Sequence, residues 1–295
     1  MATPEALMRQ RIEALVRRRT ETDRRMGYVW MVVPLLPFAA AVTTGTAAVG
    51  IFVSILPRLG SLSQQTATPN SLEPVVGGIL AVYALVMLTL LIVWFFGALS
   101  FYYLIERRNR HFARQHLLFG TINRYLESKA SASENVSQLS YLLEDSIYEE
   151  HARSAGLWAV LFLLVAPIAG LIAAYNLTQD MRKHDRYQSN YQLVLAPSMV
   201  DAGFQRPDIP SYNSRNRDPM LFIILSAITG GLFWIYWYYT LLKDYNDHFA
   251  DQAAFEDQIV RILTPPQTPR TCGTCGGIVP GNARFCPNCG SKQAI

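Results

Sequence analysis

The sequence predicts an all-α multipass membrane protein: four transmembrane helices in two hairpin-plus-stalk repeats, followed by a small four-cysteine module. Three observations predict it. Four long stretches carry no Asp, Glu, Lys, Arg or His, an eighteen-residue block recurs further along the chain, and all four cysteines fall in one short segment. The composition agrees, with 51% hydrophobic and 16% charged residues among 295, against roughly 25% charged in an ordinary soluble domain. Disorder, collagen, a disulfide scaffold and a purely soluble globule are thereby excluded.

The first segment, residues 1–27, opens with Thr3 at a helix N-cap position and Pro4 in the first turn. Met8, Ile12, Leu15 and Val16 form an apolar stripe beside an arginine-rich face. That pattern suits a helix lying on an anionic leaflet, with a solvated charged tail as the alternative. The uncharged blocks Tyr28–Leu56, Val75–Ile105, Gly156–Leu177 and Met220–Leu242 have 29, 31, 22 and 23 residues. About 20 apolar residues cross the hydrocarbon core, so each block is expected to span. Aromatic residues gather at their ends, as at Phe101–Tyr103 and Trp234–Tyr239, where amphipathic rings suit the interface. The first block follows a charged segment and lacks the form of a cleaved signal.

Orientation follows from basic residues. Seven arginines precede the first block, seven Lys/Arg lie in 106–155, and Arg58 alone lies in 57–74. The N-terminal segment and the 106–155 connector are therefore expected in the cytoplasm. The connector 178–219, with six Lys/Arg and five Asp, then falls outside, and the segment after Leu242 returns to the cytoplasm. Residues 195–219, with four prolines, read as loop.

The repeat sets the domain organisation. Asn109–Leu126 and Asn246–Leu263 share eight of eighteen residues, among them Asn109/Asn246, His111/His248, Phe112/Phe249 and Gln115/Gln252; chance would give about one. A fainter third copy pairs Tyr175, Leu177, Asp180, His184 and Gln188 with residues 64 positions later. Phe112, Gln115, Phe119, Ile122 and Leu126 recur at helical spacing, so each copy reads as an amphipathic stalk beyond the bilayer, with a helix lying flat on the headgroups as the alternative. The expected units are a basic segment 1–27, a first hairpin and stalk 28–128, and a linker with an amphipathic helix 129–155. A second hairpin and stalk 156–263, a proline-rich spacer 264–271 and the cysteine module 272–295 follow.

Chemistry is concentrated in Cys272-x2-Cys275 and Cys286-x2-Cys289, each pair followed by a glycine. Four thiolates at these spacings match a closed tetrahedral structural zinc site, with Cys272, Cys275, Cys286 and Cys289 as ligands and a disulfide pair or an iron–sulfur cluster as the alternatives, and they suit a reducing compartment. The module has no strong basic footprint, and its one aromatic, Phe285, is expected against the knuckles, so nucleic-acid binding is disfavoured. No carboxylate, histidine, lysine or arginine lies within a block, which disfavours a proton-coupled pump or a charge-selective channel. The chain shows no phosphate loop, nucleophile elbow or HExxH motif. His111, His184 and His248 follow the apolar blocks, and headgroup contact or stalk packing is favoured for them over a metal or acid–base role.

Residues 272–290 resemble the short zinc-ribbon domain that ends in F-C-x-x-C-G, here Phe285 to Gly290. Residues 221–249 resemble an uncharacterised family of prokaryotic membrane domains, its archaeal members above all. Its T-x-G turn and Y-W-x-Y signature stand here as Thr229-Gly230-Gly231 and Tyr236-Trp237-Tyr238-Tyr239. These resemblances imply a membrane domain with a C-terminal zinc ribbon and Zn²⁺ as its structural ion. The function expected is a non-enzymatic anchor, adaptor or regulatory subunit, embedded in the lipid bilayer and docking a soluble or membrane protein or a second copy of itself. The alternatives are a transporter for a neutral solute and a membrane-tethered nucleic-acid-binding regulator.

Overall fold

The computed structural model describes residues 3–62, 69–209, 217–264, 270–279, 283 and 285–292. The chain is mostly helical, and several helices begin where a side chain satisfies an orphan amide. The Thr3 hydroxyl accepts from Ala6 N and opens α1 (Pro4–Arg17). The short α2 (Arg19–Thr22) and a 3-10 stretch, Tyr28–Leu35, lead into α3 (Leu36–Leu62). Then come α4 (Pro69–Glu127), α5 (Glu134–Glu149) capped by Ser133, and α6 (Ala155–Asp201) capped by Ser154. Asp218 caps α7 (Pro219–Ile228), and α8 (Phe233–Leu263) follows a four-residue turn. Two short antiparallel strands, β1 (Arg270–Thr271) and β2 (Ile278–Val279), belong to the C-terminal module.

Two helical segments among the described residues are long and apolar enough to cross a membrane, Tyr28–Ser54 and Val76–Glu127. The expectation of four single-helix spans meets a different geometry in the other two blocks, which double back. Within α6 the helix breaks at Val165 (φ −140°, ψ 50°). Pro167, two residues on, has no amide hydrogen for the carbonyl four residues back. A straight helix would hold residues 155 and 180 about 37 Å apart. Instead the Arg153 guanidinium grips the Asp180 carboxylate at 2.6 and 2.8 Å, so both ends of the block lie at one level. The last block repeats this design. Thr229–Leu232 turns the chain, with Gly230 and Gly231 at φ +59° and +92°, and the Thr229 hydroxyl accepts from Phe233 N to start α8. Across this second hairpin Arg217 grips Asp244, 64 residues after Arg153 and Asp180.

The fainter repeat is therefore a third structural copy. Three hairpins, one long and two short, each feed a helix that continues into a common bundle: the last parts of α4, α6 and α8. The bundle core contains Phe119, Ile122 and Leu126 of α4, Tyr191, Leu195 and Met199 of α6, and Phe255, Ile259 and Leu263 of α8. Ile12, Leu15 and Val16 of α1 pack into the same core, so the stripe read as leaflet-facing faces protein. The stretch read as loop from residue 195 is helical to Asp201, with Leu195, Ala196 and Met199 buried. Val136, Leu139 and Leu143 of α5 close the outer side. A second core joins the hairpins to the bundle through Phe101 and Leu104, Ala174 and Leu177, Trp237 and Leu241.

Candidate functional site

The four cysteine sulfurs lie within 4.8 Å of one another. Gly276 and Gly290 (φ +70° and +71°) turn each knuckle, and their amides donate to Cys272 O and Cys286 O at 2.9 Å. Separations of 3.7 Å (Cys272–Cys289) and 3.6 Å (Cys275–Cys286) match the ~3.8 Å edge of a tetrahedron with 2.3 Å metal–sulfur bonds. The four could hold a metal ion. Phe285, expected against the knuckles, is instead 58% exposed, as is Ile278 of β2 at 73%.

A second constellation lies where the hairpins meet the bundle. His111 of α4, His184 of α6 and His248 of α8 are 0%, 1% and 4% exposed. Their ring nitrogens come within 4.8 Å of one another, and the Nε2 atoms of His111 and His248 are 3.2 Å apart. The three occupy one position of the repeat, one from each bundle helix.

Each imidazole is backed by a carboxylate. His184 Nδ1 is hydrogen-bonded to Glu150 Oε1 at 2.9 Å, while His111 Nδ1 lies 3.1 Å from Asp23 Oδ1 and His248 Nδ1 2.8 Å from Asp185 Oδ1. Asp23 and Glu150 come from the segments that lead into the first two hairpins, and asparagines of the repeat fix those segments. Asn246 of α8 accepts from Met26 N at 3.1 Å and donates to Met26 O at 2.9 Å. Asn109 of α4 accepts from Arg153 N at 3.1 Å and donates to Arg153 O at 2.6 Å. In both cases the clamped residue stands three positions after the carboxylate.

The residue after each histidine reaches the next histidine round. Phe112 stacks on His184 (4.0 Å, 12°), Phe249 leans on His111 (4.5 Å, 35°), and Asp185 supplies the carboxylate of His248. The site thus has a cyclic order in which one phenylalanine has become an aspartate. The sequence position matching Glu150 at the 64-residue offset is Ser214, which lies outside the described residues.

Burial pushes His111 down to about 3, with the neighbouring imidazoles adding to it and Asp23 only partly opposing. Burial also lowers His184 despite Glu150. For Asp23 burial pulls upward, but His111 and Arg114 together hold its carboxyl well below the usual range. Glu150 is likewise held low by His184 and His116 against the upward pull of burial. His111 and His184 are thus neutral and their carboxylates ionised, and neutral imidazole nitrogens are transition-metal donors. Arg114 ties Asp23 to Glu256 of α8, binding Glu256 through two hydrogen bonds of 2.8 and 2.9 Å.

One turn beyond the histidines lie Gln115, Gln188 and Gln252, all buried. The amide oxygens of Gln115 and Gln252 have no hydrogen-bond partner. No family profile, curated protein or solved structure matches the chain. Sequence reasoning had the three histidines in register yet missed their convergence, because a four-span topology sets His184 on the far side of the bilayer. The signal was the H-x3-Q spacing shared by all three copies.

Proposed function

We propose that this chain is a membrane-anchored adaptor whose helical bundle and zinc ribbon stand on the cytoplasmic side and dock a partner protein. The long hairpin crosses the bilayer twice. The first arms of the two short hairpins, Ala155–Ala166 and Pro219–Ile228, give roughly 15–18 Å of helix against a ~30 Å hydrocarbon core, so they dip in and return. The N-terminal helix, the bundle, residues 202–209 and the cysteine module then share the side where arginines are densest. Zn²⁺ on Cys272, Cys275, Cys286 and Cys289 holds the ribbon, and a closed thiolate set leaves it a structural role.

The observation that carries the adaptor reading is the exposure of Ile278 and Phe285 on so small a module. Apolar side chains held outward by a metal knuckle, on a proline-rich tether, suit a docking surface. The test is affinity purification in mild detergent of wild type, of Ile278→Ser/Phe285→Ser and of Cys272→Ser/Cys275→Ser. A stoichiometric partner present with wild type and lost from both variants supports the reading, provided the first variant retains its ribbon metal. An unchanged set of proteins from all three overturns it.

A further inference from the structure

The buried histidine cluster is a group distinct from the four cysteines. We propose that His111, His184 and His248 hold one divalent transition-metal ion through their Nε2 atoms, with zinc the best fit. The 3.2 Å between Nε2 of His111 and of His248 is close to the ~3.3–3.4 Å that separates two ligands on a tetrahedral ion with 2.0–2.1 Å bonds. Nε2 of His184 is buried with no hydrogen-bond partner. A nitrogen lone pair left idle in a core costs free energy unless something accepts it, and a cation shared with the other two rings is the group that would.

The surroundings are those of a metal site. In metal centres the imidazole nitrogen away from the ion typically faces a carboxylate, which fixes the ring and strengthens the donor. Here all three do, through Asp23, Glu150 and Asp185. Charge points the same way. Asp23, Glu150, Asp185 and Glu256 gather round the cluster, and Arg114 is the one guanidinium that pairs with any of them among the described residues. Carboxylates gathered this closely around a buried cluster suit a cation, and a divalent ion held by the three imidazoles supplies it. Imidazole donors without thiolate favour zinc and its first-row neighbours over calcium or magnesium.

Three protein ligands leave the ion at least one open position. The unpartnered amide oxygens of Gln115 and Gln252, one turn along the same helix faces, would accept hydrogen bonds from a water bound there. The ion would also join α4, α6 and α8 at one point, one ligand from each repeat.

The test uses the full chain in detergent, with metal per chain measured by elemental analysis after removal of loosely bound ions. Two zinc ions per wild-type chain are expected, one in Cys272→Ser/Cys275→Ser, and one in His184→Gln. Replacement with Co²⁺ separates the sites in the intact protein. The ribbon gives intense thiolate charge-transfer absorption, which His184→Gln retains while losing one equivalent of cobalt. The cysteine variant keeps only the weaker ligand-field bands of a nitrogen site. Glu150→Gln, which keeps a hydrogen-bond acceptor for His184, should weaken the second ion ten- to a hundredfold in chelator competition. One metal per wild-type chain, with the cysteine variant metal-free and His184→Gln unchanged in metal and spectrum, would overturn the proposal.

Discussion

Gly97 shows how tightly the short hairpins are seated against the long one. A β-carbon there would stand 2.2 Å from Phe162 Cε1, and the Phe162 ring is held in turn by stacking on Phe101. Gly97→Leu should therefore cost about 1–3 kcal/mol, the usual penalty of overpacking, read as a lower thermal midpoint in detergent. Adding Phe162→Ala should return part of that loss, because the two sites share one volume; strictly additive losses would mean the contact is not the cause. The asparagine clamps act at the same scale through polarity. Asn246→Ala strips Met26 of partners for both its amide and its carbonyl, and each buried group left unpaired costs roughly 1–3 kcal/mol. Asn246→Asp keeps the acceptor and loses the donor, so its loss should be smaller. Equal losses from the two substitutions would argue that the clamp is not the source.

At the scale of elements, the proposed topology rests on the two short hairpins. An epitope inserted after residue 209 should be reached from the same membrane side as both termini in oriented vesicles, whereas four full spans would put it opposite. Gly231→Val should disturb the second hairpin, since φ +92° is a region that a β-branched residue occupies at a cost of at least ~1–2 kcal/mol. A lower midpoint with the bundle still helical by circular dichroism is the result expected; no change would show the turn can relax. These hairpins also explain what the sequence conveyed and what it hid. The long apolar blocks, the stalk periodicity and the cysteine knuckles follow from local composition and spacing, and they were legible. A short arm, a turn and a second arm have the composition of one 22-residue span, so hydropathy alone reads them as a crossing. The discriminating residues were Pro167 and Thr229-Gly230-Gly231, turn-forming groups in the middle of apolar runs. Given their weight, the third copy of the repeat would have placed His184 beside His111 and His248. The carboxylates were harder to find, since Asp23 and Glu150 lie 88 and 34 residues from the histidines they face, and no local pattern links them.

Across the whole molecule, three copies of one helix meet around an axis, and the places where the copies differ show what the arrangement protects. The asparagine clamp occurs twice, the phenylalanine stack twice and the Arg–Asp grip twice, whereas the histidine with its carboxylate occurs three times. Asp185 provides that carboxylate from the position where the other copies carry phenylalanine. A lattice of packing contacts alone gives no reason for keeping the carboxylate in every copy while the stack is given up. A cation on the axis does, because each ligand ring needs its own orienting group. It follows that metal should control the bundle as a unit. An ion that binds only the folded state at a thousandfold excess over its dissociation constant adds about 4 kcal/mol of stability. A high-affinity chelator added to Cys272→Ser/Cys275→Ser, where the four-cysteine site is lost, should lower the thermal midpoint. It should also raise amide exchange together in the turns around His111, His184 and His248. His184→Gln should already have the lower midpoint and show no further response to chelator. Exchange that rises in one helix alone, or a chelator response that survives in His184→Gln, would mean that the ion does not join the three repeats.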